Sequence, residues 1–154
     1  MQFNWQPSSD DISTVKAWLA TWQPCVQELE FEIAQSLFVD NTVSFGTHMD
    51  VVDGIDALKE NQWRNVWPKI ESFQWDFNNI RIGVSPDQLM AFLITTWTSK
   101  GFDEKGLSFD RPGRTTVILS RPKLNANWLG VHTHFSLHPG ITHRTFGKKI
   151  EKAL

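Results

Sequence analysis

The sequence predicts an α+β domain: helices in the first half, packed into a strongly curved antiparallel sheet built from the second. Three observations carry this. Apolar residues recur at helical spacing as far as Pro68. From residue 71 they alternate with period two, as strands do. That alternation then changes parity once, and a parity change bends a sheet.

The elements follow in order. "SSDD" (8–11) supplies N-cap residues, and Ile12, Val15, Leu19 and Trp22 share a helical face with Trp18 beside it. Pro24 lacks an amide hydrogen and is expected to kink or end this helix. Val26, Leu29, Ile33 and Leu37 continue the period in a second helix ending near Phe38. "TVSFGT" (42–47) is a short strand, and "THMDVVDG" is read as a loop. Asp53 is expected to cap a third helix with the stripe Ile55, Leu58, Trp63, Val66 and Trp67, stopped by Pro68. Phe73, Trp75 and Phe77 then share one strand face, whereas Ile80, Ile82 and Val84 lie on the other parity. A bulge or bend is therefore placed at Asn78–Asn79. "SPD" (85–87) is a turn. Residues 88–98 are apolar on both parities, so both faces should be covered. "RPGR" (111–114) and "PKLNAN" (122–127) are turns bracketing the strand "TTVILSR", and a final strand spans 128–137.

Composition excludes several classes of function. A length of 154 residues fits one domain with a full core, here 1–154 with a core of about 10–138 and a tail at 139–154. A net charge of −2 leaves no basic patch for nucleic acid, and the only Lys/Arg-rich piece, "KKIEK", reads as a solvated tail. No apolar run approaches the roughly 18 residues of a membrane span. The start "MQFNWQPSSDD" has neither the basic nor the apolar region of a signal peptide, so a cytoplasmic protein is expected. Cys25 is the sole cysteine, which rules out an internal disulfide and a thiolate cluster. There are 8 Trp and 11 Phe but no Tyr, so wide apolar walls are available and a tyrosine acid is not.

The stretch "VHTHFS" (131–136) places two imidazoles two residues apart on a strand. A metal site would use them as a pair, with His48, His138 or His143 as a third ligand, and a metal-dependent enzyme is one alternative reading. No spacing demands that third ligand, and no metal or other cofactor is expected. Parity gives a different role. Trp128, Gly130, His132, His134 and Ser136 share one face, and Leu129, Val131, Thr133 and Phe135 share the more apolar one. The histidines are therefore expected outside the sheet. On the preceding strands Thr115, Val117 and Leu119 go together. Phe92, Ile94 and Thr96 oppose Leu93, Thr95 and Trp97.

This order of elements, with "LFVDNTVSFGT", the Trp-rich third helix and the closing "WLGVHTHFS", resembles the nuclear transport factor 2-like superfamily over roughly residues 10–138. Within it, the chain looks most like the SnoaL-like branch and the association domain of calcium/calmodulin-dependent protein kinases. The resemblance implies a cone with a pocket at its open end and a homodimer through the outer sheet face. It leaves the reaction open, because the superfamily hosts isomerases, cyclases, dehydratases, transport factors and oligomerisation modules. Ketosteroid isomerases of this kind carry their base just after the second helix. The matching place here is near Phe45, which takes no proton. His48 is the candidate base instead, with a polar loop position as the plainer reading. The kinase domains carry arginines in the pocket where this chain has Ile94, Val117 and Phe135.

The expected pocket is therefore apolar and aromatic, suited to a hydrophobic small molecule: Trp22, Phe45, Trp63, Trp67, Phe92, Ile94, Thr96, Val117, Thr133 and Phe135. Complete filling of the cone by the same rings is the competing expectation. The expected dimer stripe is Trp97, Trp128, His132 and His134, and a non-catalytic dimerisation or partner-binding module is the alternative function. Arg111 and Arg114 are read as a solvated hairpin tip able to hold a carboxylate.

Overall fold

The computed structural model describes residues 1–141 and 144–147. The "KKIEK" tail and His143 lie outside the described residues. Helix α1 spans Ser9–Glu28 and is capped by Ser8, whose hydroxyl accepts the Asp11 amide at 3.1 Å. It buries Val15, Trp18, Leu19, Trp22, Cys25 and Val26. Pro24 does not end it. The carbonyl that Pro24 deprives of a donor belongs to Ala20, and both residues are exposed, so that carbonyl is open to solvent and not buried without a donor. Burial of Trp22, Cys25 and Val26 holds the turns on either side.

The expected second helix is cut down to α2, Phe31–Gln35, because Leu29 turns left-handed (φ 61°) and ends α1. Phe38 is not a helix end but the first residue of strand β1 (Phe38–Phe45). Part of the expected loop forms β2 (Val51–Asp53), so Asp53 closes a strand and does not cap the next helix. The third helical segment is irregular. It runs through α3 (Ile55–Leu58), a π-helical turn (Lys59–Trp63), α4 (Arg64–Val66) and a 3-10 turn (Trp67–Lys69) containing Pro68.

The sheet is curved and unclosed. Its further strands are β3 (Glu71–Trp75), β4 (Arg81–Val84), β5 (Met90–Phe102), β6 (Ser108–Asp110), β7 (Gly113–Ser120) and β8 (Leu129–Leu137). The order is β2-β1-β8-β7-β5-β3, and β4 and β6 also pair with β5. All pairs are antiparallel except β1–β8, which is parallel. The expected parity break is a 3-10 turn at Phe77–Asn79, which splits one edge of β5 between β3 and β4. Helix α1 attends to the outer edge of β3: Gln27 Nε2 donates to the Phe73 carbonyl at 2.7 Å, and Gln23 Oε1 accepts the Trp75 amide at 2.8 Å.

Inside the cone, Trp22 lies at the centre of a ring cluster, within 5.1–6.3 Å of Trp18, Phe38, Trp63, Trp75 and Phe135. Each large ring removes about 150–250 Å² from water, a gross gain of roughly 4–6 kcal/mol before conformational entropy is subtracted. One ion pair ties α1 across the core: Arg121 Nη2 lies 2.8 Å from Asp11 Oδ1, with both side chains buried. The same guanidinium lies 4.0 Å over the Trp128 ring, whose Nε1 donates to Thr14 Oγ1 at 3.0 Å.

Candidate functional site

The register between strands decides which residues reach the interior. Directly paired residues share a sheet face. Leu93 pairs with Val117, Thr95 with Thr115 and Trp97 with Gly113, and all of these are buried. Phe92, Ile94 and Thr96 lie on the opposite, outer face, where Ile94 is 39% exposed. Their expected place in the pocket is therefore corrected, as is the outward placement of Trp97, which is 2% exposed. Its indole fits because Gly113 has no side chain: a Cβ there would lie 2.1 Å from Trp97 Cζ2. Trp128 is corrected too, at 4% exposed. Val117↔Thr133 is followed by Leu119↔Gly130, so β8 carries one extra residue at Val131. That bulge turns Gly130 and Trp128 inward along with Thr133. The space over Gly130 is taken by Phe38, 2.5 Å from where a Cβ would stand.

At the open end, Trp22, Trp63, Trp67, Thr133 and Phe135 line a recess together with Val26, Leu58, Gln62, Val66, Ile70, Phe73, Trp97 and Arg111. Trp63 stacks on Trp67 at 4.7 Å, and Trp67 stacks on Phe31 at 5.3 Å. Thr133 is held by Ser44, with its hydroxyl donating to Ser44 Oγ at 2.9 Å. Val117 points inward but does not line the recess. Phe45 reaches only the rim. Its ring turns outward, 5.0 Å from the His134 ring and 6.1 Å from that of His132. The rings fill most of the cone and leave a void of about 40 Å³. Since one water needs some 10–15 Å³ on this measure, the void holds about three water-sized groups.

Four of the residues lining this void carry buried polar atoms without partners. Trp22 Nε1, Trp97 Nε1, Gln62 Oε1 and Arg111 Nε are buried and make no hydrogen bond. Arg111 is 1% exposed, far from the solvated tip expected of "RPGR". It sits opposite Ser99, whose carbonyl accepts the Arg111 amide at 2.8 Å and whose hydroxyl donates to the Arg111 carbonyl at 2.8 Å. Its Nη2 donates to Thr47 Oγ1 at 3.0 Å, and its guanidinium lies 5.6 Å from the Trp97 ring. Burial lowers its pKa to about 10, which leaves it a cation at neutral pH. The signal for Arg111 was present in the sequence: Thr115, Val117 and Leu119 face inward, and the same parity carried back through Gly113 reaches residue 111.

His48 follows the recess-lining Thr47 but does not line the recess itself. Burial, and then the charges of Arg111 and Arg144, push its pKa below the ordinary histidine value. Cys25 is buried with its thiol donating to the Thr21 carbonyl, and burial raises its pKa. His132 and His134 stand on the outer face, with His132 Nδ1 2.7 Å from the Val43 carbonyl. Among the described residues, no three His, Cys, Asp or Glu side chains converge as metal ligands. No helix among them is long and apolar enough to cross a membrane.

This architecture is the nuclear transport factor 2-like fold. Three solved structures illustrate it. A ketosteroid isomerase-like protein from Erwinia carotovora atroseptica superposes with TM-score 0.71 at 12% identity, covering 88% of this chain and 100% of its own. A nuclear transport factor 2-like superfamily protein from Salmonella enterica gives 0.70 at 16% identity, over 89% and 100%. A candidate calcium/calmodulin-dependent protein kinase II association domain from Xanthomonas campestris gives 0.68 at 19% identity, over 82% and 87%. No protein family's sequence profile matches the chain, and no curated protein does.

Proposed function

We propose that this is a small-molecule-binding domain whose ligand enters the apolar aromatic recess at the open end of the cone. The observation that carries the reading is a void walled by tryptophans, four of whose lining residues hold a buried polar atom with no partner among the described residues. Buried polar groups are normally satisfied, and a bound molecule is one way to satisfy them. The void is small for the hydrophobic molecule expected from the sequence, so an occupant either matches about three heavy atoms or displaces the Trp63–Trp67 wall. Binding is favoured over proton-transfer catalysis. The polar side chains at the recess are Thr47, Gln62, Thr133 and Arg111, a cation at neutral pH, and none of them is an acid or base near neutral pH.

The test is a fragment titration followed by tryptophan fluorescence and ligand-observed NMR, on wild type and on Val66→Phe. Val66 lines the recess and is half-buried, so the larger ring narrows the entrance. Fragments should shift the wild-type signal and leave the variant unmoved. A wild-type signal indifferent to every fragment, or equal binding by Val66→Phe, defeats the proposal.

A second reading is supported by the outer sheet face. Val43, Phe45 and Ile94 are each at least a third exposed there, beside His132 and His134. Such an apolar set fits a homodimer contact. Sedimentation at micromolar concentration should give a dimer, and Ile94→Glu should give a monomer. A wild-type monomer removes this reading.

A further inference from the structure

We propose that the recess is a site for a small monocarboxylate, anchored by the guanidinium of Arg111. The inference rests on the small-molecule reading above and names its ligand class. Two arginines in this protein are almost fully buried, Arg111 and Arg121. Arg121 has Asp11 at 2.8 Å. Arg111 belongs to no ion pair among the described residues, although it is the more deeply buried of the two. Burying a cation without an anion is costly, and proteins rarely leave it so. Among the described residues its guanidinium has one hydrogen bond, from Nη2 to Thr47, and the Trp97 ring face, while Nε has no acceptor. That side chain borders the void.

Among the described residues no anion fills this role, and the partner proposed is one that enters from solution. Three features select a carboxylate. A guanidinium presents paired N–H groups that match two carboxylate oxygens. Two residues that line the same recess, Trp22 and Trp97, carry indole donors without acceptors, which would suit the remaining lone pairs once turned to the ligand. The void, about three water-sized groups, matches the three heavy atoms of a carboxylate group and not the five of a phosphate; a one- or two-carbon tail is accommodated where the Trp63–Trp67 wall gives way. The tail would lie against Trp63 and Phe135, which lends affinity without a polar partner. This anchor comes from position 111, not from the positions of Ile94, Val117 and Phe135 where the resembling kinase domains carry theirs. Ile94 faces out of the cone altogether.

The experiment uses the full chain and three sets of probes: acetate and propionate, their neutral amides acetamide and propionamide, and inorganic phosphate. Binding is read by tryptophan fluorescence and by the Arg111 Nε–H resonance in 1H–15N spectra of wild type. Each carboxylate should bind at least tenfold more tightly than its amide and move the Arg111 Nε–H signal. Arg111→Met should abolish that preference. Because Arg111→Met could unfold the chain, Thr47→Val is the second variant. It removes one guanidinium contact, is expected to keep the fold, and should change carboxylate affinity with little change for the amide. Neutral fragments that bind as well as carboxylates overturn the anchor while the small-molecule reading stands. Phosphate binding tighter than any carboxylate overturns the ligand class. No probe or fragment binding at all removes both.

Discussion

The buried pair Asp11–Arg121 gives the sharpest test of how the cone is held together. Its N···O separation is 2.8 Å, and the side chains are 6% and 5% exposed. Two unit charges about 4 Å apart attract by about 4 kcal/mol at an effective dielectric constant near 20. Desolvation of both groups offsets much of this, so the net worth of the intact pair is small. Breaking it is another matter. Arg121→Met leaves Asp11 buried with Oδ1 newly unpartnered, and Oδ2 has no partner to begin with. It also removes the donor to the Gln88 carbonyl and the cation over Trp128. The expected loss is about 3–5 kcal/mol. For a chain of this size that lowers Tm by roughly 6–20 °C, at about 2–4 °C per kcal/mol. The double variant Asp11→Leu with Arg121→Met should lie near wild type or above it, because no buried charge remains. Urea unfolding of the four proteins measures the coupling directly. A loss below about 1 kcal/mol for Arg121→Met, or a double variant as unstable as the sum of the singles, would refute the argument.

Three further outcomes are expected. Gly113→Ala places a methyl 2.1 Å from Trp97 Cζ2 and 2.5 Å from the Ser136 carbonyl, so it should cost about 1–3 kcal/mol and shift tryptophan emission; unchanged urea unfolding would contradict the packing. Gln27→Ala removes the donor to the Phe73 carbonyl at the β3 edge and should cost about 0.5–1.5 kcal/mol, with amide exchange accelerating in β3; equal exchange rates would show that water replaces the glutamine without loss. His48 has a folded-state pKa below its ordinary 6.5, so the unfolded chain binds its proton first as pH falls. The stability is present above pH 6.5 and is lost as pH drops from there through the lower folded value. His48→Gln should flatten that part of a Tm-versus-pH curve, and identical curves would dismiss it.

What could be read from the sequence followed the strength of each local pattern. The break at Phe77–Asn79 was legible because Phe73 and Trp75 sit on one parity and Ile80 and Ile82 on the other, a contrast no straight strand produces. The inward face of β5 was not legible, because residues 91–95 are apolar on both parities; only the pairing of Leu93 with Val117 decides it. The bulge at Val131 was hidden for a related reason. Its inward residue is Gly130, which has no side chain to mark a face, and so Trp128 was assigned to the wrong side. Pro112 and Gly113 disguised Arg111 as a turn residue, whereas Arg111 continues the β5 ladder opposite Ser99. Pro24 misled by its identity alone, since an exposed proline in a well-anchored helix exposes only one carbonyl to water.

The π-helical turn at Lys59–Trp63 has a consequence for how such a cone changes its contents. Helix α1 is fastened at both ends of the sheet, through Gln23 and Gln27 at β3 and through Asp11 and Thr14 at the opposite wall. The segment carrying Gln62 and Trp63 is tied instead to α2, through Lys59 to Glu32 and Gln35, and to Thr145 at the Lys69 carbonyl, and its wide turn holds one residue more than an α-helix would over the same rise. That surplus residue works as slack in an otherwise taut frame. If it is taken up by one turn rewinding to α geometry, the Trp63–Trp67 pair rotates about the segment axis while α1 stays still. Inserting or deleting a single residue at this turn would therefore shift the Trp63–Trp67 wall of the recess with no change to the sheet.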